Sequence, residues 1–565
     1  MVLLTTMTVS EYHRPMKEVT MPRSPTFALL SIISLPLAAV ELPAVFSDHA
    51  VLQAGVDTPV WGRGRDGEQI TVTMGGVTAK ATVAHGTWMV HLKGLVPTEV
   101  GQVLIVKGDN ILTVHDVVVG DVWLCSGQSN MEWTVQKSHN GQDEIPKATD
   151  TGIRVYIVPK TTSRTPLNDV KAAWQVLSPE SVAGFSAVGY YFGREVRAAR
   201  KRPVGLLGSY WGATQAQSWT STEGLAVAPA FGNYLEAQAE FDRNLEKLRA
   251  EWPETKAKYD AAVKKVKDTN VKAQTEWDQM VANAKATGQP MPKKPKILPE
   301  PKRVYSPDLN PGIPANLFNG MIAPLIPYGI TGAIWYQGES NSGAADEYAT
   351  LFPRMITDWR GRWGRGDFPF LFVHLSTWQE AQQAPVEHGG IPQVRLTQQA
   401  ALALPNTGMA SALDINAGSD IHPADKLDVG KRLAQVARKV AYGDNVACEG
   451  PRFKSMTVEG SALRVTFDHA DGLHVAVPPW LGPKATVPSA TEPASFAVCG
   501  IDGVWQWAKA RIDGSAIVLT SDNVTAPVAA AFAWAPNPQV NVYNAQGLPM
   551  LPFVSDAAKL PAAGK

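Results

Sequence analysis

The chain has 565 residues, 45% of them hydrophobic, with 17 tryptophans and 52 acidic against 52 basic side chains. That length exceeds one ordinary domain and predicts two to four, with enough apolar material for buried cores. A balanced charge offers no field to recruit nucleic acid or an anionic membrane, and neutral sugars suit it better.

Residues 1–40 read as a leader and signal peptide. Met21-Pro22-Arg23 precedes an apolar run from Phe27 to Val40, broken by Pro36 and ending in Leu37-Ala38-Ala39. A basic residue, a short apolar core and small residues at its end make a secretory signal with Met21 as the true start, and the run is short for a membrane anchor. A secreted or periplasmic protein is expected, and no later segment is apolar enough to span a membrane.

From 41 to 118 short alternating runs, such as Gln69 to Met74, alternate with Gly, Asp and Asn turns, the pattern of an antiparallel β-sandwich. Over 119–445 strands alternate with helices: strands at Val204 to Ser209, Gly332 to Gln337 and Phe370 to Leu375, helices at Val188 to Arg200, Tyr348 to Trp363 and Leu427 to Tyr442. That alternation predicts an α/β domain, a parallel sheet with helices on both faces. An insertion at 231–301 is Lys- and Glu-rich with apolar residues three and four apart, predicting a helical hairpin broken near Pro253. Residues 446–565 return to alternation and predict a second β-sandwich. Of the three cysteines, Cys125 reads as a buried unreactive thiol, while Cys448 and Cys499 could pair. There is no H-E-x-x-H, paired C-x-x-C, P-loop or dinucleotide fingerprint, so neither a metal nor a cofactor is expected.

Three segments carry chemistry. Gly120 to Trp133 is an apolar run that stops at Ser126-Gly127-Gln128-Ser129-Asn130, a buried strand handing over to a turn with a hydroxyl at its tip. Gly332 to Asn341 repeats the design with amides and Glu339 at the tip, and Ser419-Asp420-Ile421-His422-Pro423 opens a helix. A serine hydroxyl needs a base within hydrogen-bond reach, and His422 beside an acid supplies one, the parts of acyl transfer. A helix-capping serine and a surface His–Asp pair are the plainer readings of each alone.

The stretches G-Q-S-N-M, W-Y-Q-G-E-S-N and D-I-H-P-x-x-K-x-x-V-G-x-R-L resemble the sialate O-acetylesterase family, a branch of the SGNH hydrolases that deacetylates sugars. The resemblance covers most of the chain from about Leu42 onward. It implies a flavodoxin-like parallel sheet, Ser129 as nucleophile and His422 as general base. SGNH hydrolases commonly carry Asp three residues before His, where this chain has Ser419. Asp420, two before, is the first choice for the orienting acid and Glu339 the alternative. The implied oxyanion donors are the Ser129 N–H, Gly212, and an amide from Gln337 or Asn341, with Ala213 standing where the family shows a second glycine. His374 replaces a frequent glutamine, a change that bears on substrate preference, and Arg395 lies near another strand end. Trp133, Trp211, Trp219 and Trp378 fall near the motif loops, where indoles stack well on sugar rings. The implied partner is an acetylated oligosaccharide or polysaccharide, either acetylated sialic acid or a plant polysaccharide such as xyloglucan. Two other readings stay open: a glycan-binding protein without catalysis, and a glycoside hydrolase using Glu339 and Asp420 as paired acids. The oligomeric state is left open too.

Overall fold

The structure, a computed structural model, describes residues 40–387, 389–415, 418, 420–482 and 485–560. The expected signal peptide up to residue 39, and Ser419, lie outside them. Among the described residues no helix is long and apolar enough to cross a membrane.

Seven strands come first: β1 (Val51–Gln53), β2 (Thr58–Arg63), β3 (Gln69–Met74), β4 (Val77–Thr82), β5 (Thr87–Leu92), β6 (Thr98–Lys107) and β7 (Ile111–Gly127). Their alternation is real. In β5, Trp88, Val90 and Leu92 are buried while Met89 and His91 are exposed, the mark of a sheet with one wet face. β2 pairs with β5, β3 with β4 and β6, and β6 with β7, all antiparallel.

β7 runs 17 residues through position 118 without a break. Its first half pairs with β6 and alternates in burial, whereas Val117 to Gly127 is buried at every residue. Continuous burial is what a strand covered on both faces requires, and here β7 becomes the centre of a parallel sheet. That sheet adds β8 (Ile153–Ile157), β9 (Trp174–Val176), β10 (Val204–Tyr210), β11 (Gly332–Tyr336), β12 (Phe370–His374) and β13 (Thr407–Ser411), in the order β13-β12-β11-β7-β10-β8-β9. All neighbours are parallel except β9, which runs antiparallel to β8. With the β8–β9 edge set aside, the order is second, first, third, fourth, fifth. The chain therefore reverses direction across the sheet beside β7, and in such sheets ligands bind beyond the carboxyl ends of the strands at that point.

Among the helices are α1 (Ser129–Glu132), α2 (Ala187–Arg200), α3 (Gly232–Thr287), α4 (Ala345–Trp363), α5 (Gly390–Gln398) and α6 (Leu427–Val440). The pairing of Gly332 with Trp123 places Trp123 and Trp335 on opposite faces of the sheet. Trp123 packs on Phe192 of α2, and Trp335 on Phe352 and Trp359 of α4, so both faces are covered. α6 lies against α2, and α5 against α4.

The insertion differs from the expected hairpin. α3 is one helix of 56 residues that continues through Pro253, about 84 Å at ~1.5 Å per residue. Only Gln238, Phe241 and Ala284 are buried along it. With the helix standing in solvent, i,i+4 pairs such as Lys247–Glu251, Glu254–Lys258 and Lys264–Asp268 support it on both sides of the proline. The chain returns as an extended tail: Asn270 brackets both backbone groups of Leu298, and Trp277 donates to the Pro292 carbonyl.

The C-terminal region holds two four-stranded antiparallel sheets and a core of its own around Leu463, Val465, Phe496 and Phe532. The cysteine pairing expected here is corrected. Cys125, Cys448 and Cys499 are all free and buried; Cys448 belongs to the main core, and Cys499 to a separate cluster with Trp505 and Trp534.

Candidate active site

Three loops meet at the carboxyl end of β7. Gly127 sits at φ 139°, and a Cβ there would lie 2.2 Å from the Tyr336 carbonyl, so glycine alone lets β7 turn while still paired with β11. The chain enters α1 at Ser129, whose N–H belongs to a first helical turn and has no intrahelical acceptor. The Gln128 side-chain carbonyl accepts from the backbone of Ser340 at 3.2 Å and Gly338 at 3.5 Å, tying the β11 loop to the nucleophile turn.

His422 comes from the turn before α6. Its Nε2 lies 2.8 Å from Ser129 Oγ. The Trp133 ring stacks on the imidazole at 5.2 Å and 19°, fixing its plane. Asp420 Oδ1 accepts the His422 backbone N–H at 2.9 Å and stands 3.5 Å from Nδ1, longer than a firm N–H···O bond. The Asp420 side chain is 60% exposed, so its grip on the ring is loose. Glu339, the alternative acid, accepts from Asn130 Nδ2 at 2.6 Å.

Gly212 lies against the nucleophile; a Cβ on it would stand 3.2 Å from Ser129 Cβ. Its N–H donates to Glu132 Oε2 at 2.6 Å, and the other Glu132 oxygen meets the Lys160 ammonium. Lys160 lies 5.5 Å over the Trp211 ring. Ala213 takes φ 60°, the left-handed conformation that explains a glycine at this place in the family pattern. Gln337 and Asn341 are buried, and their amides bind the loops together. Gln337 Nε2 donates to the Thr214 carbonyl and to Asn341 Oδ1, which uses both its hydrogens, and Asn341 Nδ2 donates to Gln217. In this structure Gln337 has no hydrogen left for a substrate oxygen.

His374 and Arg395 are fully buried. His374 Nε2–H donates to the Arg395 carbonyl, and the Arg395 guanidinium donates to the carbonyls of Leu375, Ser376, Ala535 and Pro536, clamping the C-terminal region to the parallel sheet. Trp211 and Trp219 are core residues, Trp378 is half-buried, and Trp133 alone of the four touches the reactive pair.

Sequence reasoning assigned no role to Asn130, Glu132 or Lys426. Asn130 follows the nucleophile, is fully buried, and bonds Glu339, the Ile421 carbonyl and Lys426. Asn130 and Lys426 stood in the quoted motifs, which was the available signal. Burial holds the His422 imidazole below its ordinary value, Lys426 adds to that, and Asp420 pulls the other way. Burial likewise pushes the Lys426 ammonium down to about 7, opposed by Glu339, Asp425 and Asp420, and raises the Glu339 carboxyl, whose Oε2 is shielded. An imidazole neutral near pH 7, next to a hydroxyl, can accept the proton that makes serine a nucleophile.

Residues 317–439 match the family of carbohydrate esterases described as sialic acid-specific acetylesterase. The sialate O-acetylesterase of Mus musculus is 31% identical over 450 residues, covering 72% of this chain and 75% of that protein. The Homo sapiens protein is 31% identical over 431 residues, covering 69% of each. In structure, a carbohydrate acetylesterase from Xanthomonas citri is 30% identical with a TM-score of 0.71, covering 92% of this chain and all of that one. The fold, with a serine and a histidine in contact beyond the carboxyl end of β7, and these likenesses define a carbohydrate O-acetylesterase, a carboxylic ester hydrolase. The chain belongs to the sialate O-acetylesterase family.

Proposed function

We propose that deacetylation runs through an acetyl-Ser129 intermediate on an SGNH-type domain flanked by accessory β-sandwiches. The single observation that carries this is the 2.8 Å contact between Ser129 Oγ and His422 Nε2. Nε2 takes the hydroxyl proton as Oγ bonds to the acetyl carbon; the tetrahedral intermediate collapses, its C–O bond to the sugar breaks, and His422 returns the proton to the departing sugar oxygen. Water, deprotonated by the same imidazole, then releases acetate and restores Ser129. Negative charge on the former carbonyl oxygen falls to the N–H groups of Ser129 and Gly212. Gly212 can donate only once Glu132 has moved aside, and Gln337 and Asn341 hold the loops in place. Asp420, through its loose contact with Nδ1, supports the imidazolium.

The substrate class is an acetylated carbohydrate, with acetylated sialic acid and acetylated plant polysaccharide such as xyloglucan as the two alternatives, met outside the cytoplasm after export by the leader before residue 41. Acetate release from those substrates, measured for the wild type, Ser129→Ala and His422→Ala, tests the reading. Loss of at least ~1,000-fold in each variant is expected; turnover near wild type in either removes the mechanism, and reducing ends released without acetate would make the protein a glycosidase.

A further inference from the structure

Beneath the reactive pair lies a group of buried polar side chains that the mechanism above leaves unused. Lys426, at the entrance to α6, has no accessible surface. Its ammonium donates to Asn130 Oδ1 at 2.5 Å and lies 5.3 Å over the Tyr336 ring and 5.8 Å over Trp133, the same indole that stacks on His422. On its other side Asn130 Nδ2 donates to Glu339 Oε1 at 2.6 Å and to the Ile421 carbonyl at 3.1 Å. The orientation of the Asn130 amide is fixed by chemistry: an ammonium only donates and an ionised carboxylate only accepts, so the oxygen must face Lys426 and the nitrogen Glu339.

One asparagine thus joins three loops. Its own backbone follows Ser129, Glu339 belongs to the loop after β11, and Ile421 and Lys426 bracket the turn that carries His422. The acid that would ordinarily orient the histidine is loosely placed, since Asp420 is mostly exposed and 3.5 Å from Nδ1. We propose that Lys426 is a positioning residue of the reaction: acting through Asn130, it fastens the loops bearing Ser129 and His422 at reacting distance, and it places its charge beside the imidazole. The inference rests on the serine–histidine reading given above.

The charge has a consequence that packing alone would not produce. The charged groups facing His422 are Lys426, Lys137 and Asp420, and those facing Lys426 are Glu339, Asp425 and Asp420, with Arg395 beyond Glu339. Lys426 disfavours a proton on His422, so removing its charge makes the ring easier to protonate and moves the acid limb of activity to higher pH. In that acid range Lys426, held near 7, is charged and acts on the ring.

The experiment follows kcat/KM against pH for acetate release by the full chain, with thermal melting as the folding control. It compares wild type, Lys426→Met, the double variant Lys426→Met/Glu339→Gln, which leaves no unpaired buried carboxylate, and Ser129→Ala. Each Lys426 variant should lose roughly 10- to 100-fold in kcat/KM at pH 7, as loss of a supporting contact does. Its acid limb should rise by about half to one pH unit. A folded variant whose limb does not move overturns the inference, whatever its activity, because loosened packing alone would lower activity without moving the limb. If neither Lys426 variant folds, the inference also falls, since the pair is then a requirement of the core. An active Ser129→Ala would instead remove the underlying mechanism, and that result is distinct from either outcome at Lys426.

Discussion

Replacing His374 with glutamine should flatten the acid side of the protein's stability curve. The imidazole has no accessible surface, its Nδ1 has no partner, and the Arg395 guanidinium shares its pocket. Burial first, and Arg395 second, hold its pKa down to about 3 against the ordinary 6.5. The folded-state value is therefore the lower one. The stability contributed by the neutral ring is complete above pH 6.5 and is lost as pH falls from there toward 3, because in that window the unfolded chain binds a proton the folded chain excludes. The slope is about 1.4 kcal/mol per pH unit, so moving from pH 7.5 to pH 5.0 costs ~2 kcal/mol through this one group. A glutamine keeps a donor for the Arg395 carbonyl and has no such titration. Urea unfolding of both proteins at the two pH values isolates the effect as the difference of differences, free of the constant cost of the substitution. The wild type should lose ~2 kcal/mol more than His374→Gln between pH 7.5 and 5.0. Equal losses would refute the reasoning and mean that the ring is hydrated or already protonated in the native state.

Three further outcomes are expected. In the wild type, kcat/KM should fall with decreasing pH around a midpoint below 6.5, since burial and Lys426 depress His422, which must be neutral to act; a midpoint at or above 6.5 in the pH profile contradicts this. Glu132→Ala frees the Gly212 N–H from a partly exposed carboxylate contact of ~1 kcal/mol, so kcat/KM toward a small chromogenic acetate ester should rise about fivefold; no change or a fall would show that Glu132 does not stand in the way. Ala213→Gly relieves a left-handed alanine and should stabilise the chain by ~1 kcal/mol in urea titration, the reverse of the usual glycine penalty, and a loss of stability would refute the strain.

Much of the parallel sheet was legible because its signals are local. Fully apolar strands ending in Gly and polar residues, such as 332–336, and helices with a clear apolar stripe, such as 427–440, declare themselves within a dozen residues. Ser129 and His422 stand out for the same reason, each at the tip of a turn with a motif around it. Through-space relations were not legible. Nothing near Gly212 in the chain announces that Glu132, 80 residues earlier, takes its N–H. The amides of Gln337 and Asn341 look alike as donors until their partners are known, and those partners lie on the loop after β10. Pro253 misled because an interior proline usually ends a helix, whereas α3 meets little tertiary packing and carries charge pairs on both sides of it. Cys448 and Cys499 looked like partners by region, yet they sit in separate clusters of side chains.

The unbroken run of β7 bears on how this protein can be re-engineered. One backbone serves as both a strand of the N-terminal sheet, paired with β6 and with β1, and the spine that ends at the nucleophile. Swapping the N-terminal module for another binding unit, or trimming it to make a smaller catalyst, would cut the same peptide ladder that seats Gly127 against Tyr336. A graft would have to keep β7 whole and exchange the strands around it.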